Sequence, residues 1–423
     1  MLFCIGKMCM IKSYRQLTLC LFILLSTFGF CLYLGFFSFY LVKIKTDPLV
    51  ISVLIGSTAL SSLVWGPLAG RLIDRSRHRF FWLMTAQACC GFLVFAFGNQ
   101  SHFWPVVTPV LVISLSLTVN FATIIVNQYL LPELHRDYET SVAVASYISG
   151  IAVFVTGLVL AAFYDRYSPS LFFRVAAGCF ILSALTLLPL IRGKTCAGPD
   201  EAVPETEKRD FAGIYRQTFR CLKRNWFLAL AMCVMAFTET SFNTNFDVIA
   251  FSLGTTPFAA VFILGAISGV LDSLASWFYP RSVGQTTVNF RWHFFLCTFL
   301  FIFSGAALLT FWDYDRKPWF LPSLALCLEL TGVWWSIFIA GQVRAASHEG
   351  EYGQTMAAFR VPRSVVTFFG MTTIGTALQS GEIAWVLSAD TALLFLLLAL
   401  NVHLYLKKNA ERCDMEKSAE PVD

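Results

Sequence analysis

Apolar stretches of twenty or so residues recur from one end of the chain to the other. At about 1.5 Å of rise per residue, each is long enough to cross a bilayer core of about 30 Å as a helix. The windows fall at 17–42, 49–70, 80–98, 105–131, 142–163 and 171–191, and after a polar gap at 226–250, 258–280, 292–312, 320–343, 356–378 and 383–406. Only 13% of the residues are charged against 57% hydrophobic, whereas an average soluble domain is about 25% charged. No water-soluble fold hides that much apolar surface. In lipid the backbone must satisfy its own hydrogen bonds, and these segments lack the alternation of barrel strands, so they read as helices. The expected fold class is an all-α membrane protein with twelve transmembrane helices in two six-helix bundles. The expected units are 1–191, a cytoplasmic linker over 192–225, a second bundle over 226–406 and a cytoplasmic tail over 407–423.

The first window is too long for a signal-peptide apolar region and has no small-residue cleavage site after it, so it is expected to stay in the mature protein as the first helix. With both termini cytoplasmic, 25 of the 31 Lys and Arg fall on the inner side, and only Lys43, Lys45, Arg166, Arg174, Arg316 and Lys317 fall outside. That bias predicts a multi-pass inner-membrane protein with cytoplasmic ends. It also explains the net charge of +5 without nucleic acid, because the basic residues stand at helix ends. Pro199, Pro204 and the mixed-charge run 205–209 make the linker a flexible tether. The thirteen cysteines are scattered, with no Cys-x-x-Cys pair and no His at zinc spacing, so no metal, cofactor or disulfide is expected. His78, His135 and His348 lie in polar loops and read as solvated.

At the end of the second helix stands Gly66-Pro-Leu-Ala-Gly70-Arg71-Leu72-Ile73-Asp74-Arg75-Ser76-Arg77-His78-Arg79. The run Gly70-x-Leu72-x-Asp74-Arg75, followed by Arg77 and Arg79, resembles the loop signature of the major facilitator superfamily, with Ser76 and Arg77 where that family carries an aromatic residue and glycine. The resemblance implies a two-bundle transporter fold in which this loop latches the halves together on the cytoplasmic side. Gly70 lets helices approach closely, Asp74 can accept hydrogen bonds from a neighbouring helix N-terminus, and Arg75, Arg77 and Arg79 hold the loop at the anionic membrane surface. The expected partner is the start of the eleventh helix, around Met356, Arg360 and Arg363. The bland alternative is a topology signal alone. The corresponding turn of the second half, Pro280-Arg281-Ser282, lacks the pattern, so one latch is expected. Layout and the segment Gln354–Arg363 are similar to the branch of enterobactin exporters, macrolide efflux pumps and siderophore-linked transporters.

Charges inside apolar windows mark candidate sites, since a charge at the bilayer centre costs about 2.5–3.5 kcal/mol or more unless it faces a cavity or a partner. Glu239, Asp272, Glu329 and Asp390 are such residues, all in the second half. Glu239, Asn243 and Asp247 follow at intervals of four on one helix face, and this stripe is the first candidate for binding substrate or proton. The fourth helix lacks the arginine of many proton-driven antiporters of the superfamily and offers Asn120, Asn127 and Gln128 instead. Each of these polar groups also has a structural reading, as a contact inside a bundle. The aromatic clusters Phe36, Phe37, Phe39, Tyr40 and Trp334, Trp335 read first as lipid-facing packing and interfacial belts, and second as the wall of a cavity for a planar amphipathic ligand.

The expectation is a secondary transporter, acting as a monomer, that exports a small amphipathic molecule, siderophore-like or drug-like, in exchange for protons. An importer of a metal chelate or nutrient, or a transporter-like sensor, are the rival readings. No nucleophile and base, metal cluster or phosphate loop converges at one depth, so an enzyme is not indicated.

Overall fold

The computed structural model describes residues 14–43, 47–76, 78–99, 106–135, 137–192, 211–238, 258–311, 320–347, 351–380 and 383–418. The first half comprises α1 (Tyr14–Lys43), α2 (Pro48–Arg75), α3 (Arg79–Gly98), α4 (Val107–Ile125), α5 (Tyr138–Phe163), α6 (Pro169–Thr186) and the short α7 (Leu188–Arg192). The second comprises α8 (Phe211–Arg224), α9 (Trp226–Thr238), α10 (Phe258–Phe278), α11 (Val288–Phe311), α12 (Phe320–Ala345), α13 (Tyr352–Ser380) and α14 (Ile383–Ser418). Each of the twelve apolar windows coincides, over its described residues, with a helix, and the described residues form no strand. Nine described helices are long and apolar enough to span a membrane, or ten if α8 and α9 count as one broken span. The chain is thus a multi-pass membrane protein.

Helix starts follow local chemistry. Asp47 accepts from Leu49 N at 2.7 Å with Pro48 in the first turn, and Asp137 accepts from Thr140 N at 2.9 Å; both satisfy orphan first-turn donors. Pro132 ends the helical run of α4. The chain passes through a π turn (Val126–Leu130) and a 3-10 turn (Leu131–Glu133), as a proline without an N–H requires. The linker differs from a flexible tether throughout its length, because its last residues form α8, bent 95° from α9. One contact of α8 with the first half lies near Pro67. With no N–H on Pro67, the carbonyl of Leu63 loses its helical donor, and the hydroxyl of Tyr215 in α8 donates to it at 3.4 Å.

Within the first half α6 packs on α1 and α3, and α4 packs on α2 and α3; in the second, α14 packs on α11, and α12 packs on α10 and α11. Phe36, Phe37 and Trp335 depart from the lipid-belt reading of their clusters. Phe36 is fully buried and stacks on Phe172 with ring centres 4.5 Å apart, Phe37 packs on Phe97, and Trp335 is buried among Trp292, Phe295 and Phe338. In a bundle, wide rings fill the gaps between helices that cross at an angle. The side chain of Phe39 lies outside the described residues.

The halves meet along two antiparallel helix pairs, α2 with α13 and α5 with α10. In the second pair, Gly150 faces Gly269 so closely that a Cβ on Gly150 would stand 2.7 Å from the Gly269 carbonyl oxygen. Small residues let the two backbones touch.

Candidate gate and central cavity

At one end of the α2–α13 pair, Asp74 reaches from the last turn of α2 to the first turn of α13. Its Oδ1 accepts from Gly353 N and its Oδ2 from Gln354 N, each at 2.9 Å, and the Tyr129 hydroxyl also donates to Oδ1. The first turn of a helix holds N–H groups with no partner inside the helix and carries the positive end of its dipole, so a carboxylate is suited to it. The partner is the start of this helix, as expected, but through Gly353 and Gln354 and not the residues named for it. Met356, Arg360 and Arg363 lie deeper in α13, where the N–H groups are already spent on the helix.

Gly70 is the second requirement of this corner. A Cβ there would stand 2.5 Å from the carbonyl oxygen of Gly353, and backbone cannot yield as a side chain does. Arg79 closes the α2–α3 turn: its Nε donates to Ile73 O and its Nη2 to Asp74 O, both at 3.3 Å, and its guanidinium stacks 3.8 Å from the centre of the Tyr129 ring. Arg79 therefore orients the groups around Asp74, while Arg75 is exposed. Arg77 lies outside the described residues.

A second cross-half contact is present where the sequence, expecting one latch, foresaw none. At the equivalent end of the α5–α10 pair, Glu139 in the first turn of α5 accepts from Arg291 Nη1 at 2.6 Å and from the Tyr279 hydroxyl at 3.1 Å. The guanidinium further donates to the Tyr279 oxygen at 3.2 Å. The Arg291 and Glu139 side chains are only 9% and 19% exposed. The second half thus supplies a cross-half contact from Tyr279 just after α10 and Arg291 near the start of α11, in a different chemistry.

Between these corners, Arg344 at the end of α12 donates to the carbonyl and the side-chain oxygen of Gln128, at 3.3 and 3.2 Å. The ring of Tyr352 lies 3.3 Å beneath it. Pro132 has no N–H to give the Gln128 carbonyl its usual i−4 bond, so that carbonyl is available to another donor. Where α4 lacks an arginine, the opposite half supplies one.

Beyond the gate lie two cavities. One of about 210 Å³ separates α4 and α5 from α9, α12 and α13, and is lined by Asn127, Val142, Met232, Met235, Trp335, Met356, Arg360 and Arg363 among others. The second, about 330 Å³, opens into the first half and shares Asn127 and Val142 with it; Ser26, Thr27, Gln87, Thr123 and Ser149 are among its polar groups. Asn120 is met from across the halves, since Arg360 Nη1 lies 3.4 Å from both its carbonyl and its side-chain oxygen.

The acidic candidates distribute differently. Glu239, Asn243 and Asp247, and the side chain of Glu329, lie outside the described residues. Asp272 stands in α10, half-buried, within electrostatic range of Cys31 in α1, and lines neither cavity. Asp390 is fully buried in α14.

No family model matches the sequence, and no curated protein matches it. Solved structures do. The nucleoside transporter NupG, as a point mutant, aligns with a TM-score of 0.68 at 14% identity, over 92% of this chain and 100% of that one. A bacterial homologue of the iron transporter ferroportin, in its outward-facing state with soaked iron, gives 0.68 at 13% identity over 92% and 98%. The human organic anion transporter MFSD10 (TETRAN) gives 0.64 at 12% identity over 92% and 100%. The chain has the major facilitator fold. At such identities the likeness fixes the path of the helices and leaves the cargo open.

Proposed function

We propose that the chain is a secondary transporter that moves a small amphipathic molecule by alternating access, with 1–191 and 226–406 as the rocking bundles and 192–225 joining them. One observation carries this reading: the two halves line a common cavity and are joined at one end of their paired helices by contacts that can all break reversibly. A carboxylate on a helix terminus, an ion pair and an arginine on an amide each exchange for water at modest cost once the halves part. The loop carrying Asp74, with Gly70, Arg75, Arg77 and Arg79, then acts as the cytoplasmic gate of an inner-membrane protein with cytoplasmic ends. The neighbouring structures are those of transporters for nucleosides, iron or organic anions, so the fold supports transport without naming the cargo. Export of a siderophore-like or drug-like molecule against protons follows from the resemblance of the Asp74 loop and the Gln354–Arg363 segment. Glu239, Asn243 and Asp247 form the proposed substrate- or proton-binding stripe, with Glu239 as the proton carrier, and Asp272, Glu329 and Asn120 are the further candidates for binding substrate or proton.

The test is flux in proteoliposomes holding purified protein, with and without a pH gradient. Asp74→Asn should slow turnover while leaving the amount of inserted protein unchanged. Glu239→Gln should abolish the response to the gradient. Full flux in Asp74→Asn would discard the gate, and an unaltered pH response in Glu239→Gln would discard that carboxylate as the proton site.

A further inference from the structure

We infer that the pocket between α8 and the start of α13 holds the phosphate of an anionic phospholipid from the leaflet on the gate side, with Arg220 and the side chain of Gln354 as its donors. Binding itself needs only the membrane placement of the chain; its effect on the gate rests on the transport reading above.

The position of α8 points to a lipid. It is bent 95° from α9, so where α9 enters the bilayer α8 lies along the surface. Arg216, Arg220 and Lys223, at spacings of four and three, are exposed on one side of it. Phe219 beside them is 70% exposed. On the opposite side Thr218 is buried and Leu222 packs on the core. A surface helix of this kind, basic and aromatic on its free side, suits the headgroup layer of an anionic leaflet. Below it Trp226 and Leu230, one turn apart on α9, are exposed and offer acyl chains an apolar track.

The pocket points to an acceptor. It measures about 210 Å³ and is lined by Arg220 from α8, Asn225 at the bend, Ala346 after α12, and Glu351 and Gln354 at the start of α13, among others. A single water needs only about 10–15 Å³. Gln354 is 8% exposed, and its side-chain nitrogen is buried with no hydrogen-bond partner among the described residues. A buried amide donor left unmet is costly, so an oxygen from outside the chain would be favoured there. Arg220 stands at the rim, exposed and yet lining the pocket, and its planar fork of N–H donors matches the paired oxygens of a phosphodiester. Glu351 lines the same pocket, where its Oε1 accepts from Gln217 Nε2 at 2.9 Å. Glu349 and the acids of 193–210 lie outside the described residues.

The pocket also touches the gate. Gln354 is the residue whose backbone N donates to Asp74 Oδ2 at 2.9 Å, and α8 reaches the first half through the Tyr215 hydroxyl on Leu63 O. A headgroup seated between Arg220 and Gln354 would tie α8 to α13 beside Asp74 and brace the closed corner.

The experiment titrates full-length protein, delipidated in a neutral detergent, with dioctanoylphosphatidylglycerol, dioctanoylphosphatidylcholine and tail-free glycerol 3-phosphate, and reads binding by calorimetry. The phosphatidylglycerol should bind at least about tenfold more tightly than either of the others. Arg220→Gln should weaken it about tenfold or more, as for loss of a charge-assisted pair, and Gln354→Leu about threefold, as for loss of a neutral hydrogen bond. Lys407→Gln, which removes another exposed charge from the gate-side end of α14, should change nothing. Thermal melting of each variant separates loss of the site from loss of the fold, and the three probes on the native protein decide the question even if a variant fails to fold. Glycerol phosphate binding as tightly as the lipid would make this a site for a soluble phosphate ester and overturn the inference. Equal binding of the two lipids, or phosphatidylglycerol binding that Lys407→Gln weakens as much as Arg220→Gln, would also overturn it. So would binding of neither lipid, the result if Glu349 or an acid of 193–210 occupies the donors. Phosphatidylglycerol bound through Arg220, with no shift in the distance between spin labels on the α2–α3 turn and the end of α12, would uphold the site and remove the brace.

Discussion

At one corner of the gate a carboxylate caps a helix; at the other a carboxylate meets a guanidinium. Asp74 takes its hydrogen bonds from backbone N–H groups of α13, which are present whatever residues stand there. Glu139 takes its bonds from the side chains of Arg291 and Tyr279, which only this sequence supplies. The two corners occupy equivalent places: at each, the end of one helix or the turn after it meets the first turn of its antiparallel partner from the other half. The difference teaches that in this chain a carboxylate stands near each of these helix starts, with donors of different kinds answering it. It also sets different sensitivities. The Asp74 corner depends on close backbone approach and the Glu139 corner on charge balance.

The largest expected effect comes from filling the close approach. Gly70→Leu places a side chain against the Gly353 carbonyl, and overpacking against rigid backbone costs about 3 kcal/mol or more. The distance between spin labels on the α2–α3 turn and at the end of α12, in a cysteine-free background, should shift to the open population. An unchanged distribution would mean that contact of α2 with α13 does not hold this corner. Next in size, Arg291→Gln strands the Glu139 carboxylate in a mostly buried site, at about 3 kcal/mol. Adding Glu139→Gln should recover much of the closed population, because removing both charges costs less than leaving one. If the double variant is as open as the single, charge balance is not what this corner senses. Asp74→Asn should cost about 1.5–3 kcal/mol, since it removes one charged acceptor and turns an amide N–H toward donors. Tyr129→Phe is the smallest, at about 1 kcal/mol, because both helix N–H groups still reach Asp74. A Tyr129→Phe effect as large as that of Asp74→Asn would mean that the hydroxyl, and not the helix terminus, carries the corner.

How far these features can be read in advance depends on where the partner lies. Asp74 is legible because Gly70, Leu72 and Arg75 stand around it in a pattern spanning one turn and a loop. Arg291 is not, since at the edge of an apolar window it looks like any arginine marking a membrane surface, and Glu139 looks like ordinary first-turn acidity after the Asp137 cap. A polar group within the margin of an apolar window is the available signal, and it does not say which distant helix answers it. Arg360 and Arg363 are visible as residues near the start of a helix; that they line a cavity depends on the rotation of α13 about its own axis. The aromatic clusters are misread for the same reason, because burial against a neighbouring helix and exposure to lipid demand the same apolar composition.

The sequence by itself determined that this chain crosses a membrane many times, where its apolar helices run, and that the end of one helix carries a carboxylate fit for a helix terminus. These are local properties, decided within twenty or so residues by the cost of exposing apolar side chains to water and unpaired backbone to lipid. Only the tertiary structure decided that Glu139 pairs with Arg291, that Gln128 answers Arg344, and that Asn120 faces Arg360, contacts that join residues 152, 216 and 240 positions apart. The physical reason is that such pairs depend on the rotation and depth of two helices packed from opposite halves, and neither quantity is written in the stretch of chain that carries the residue.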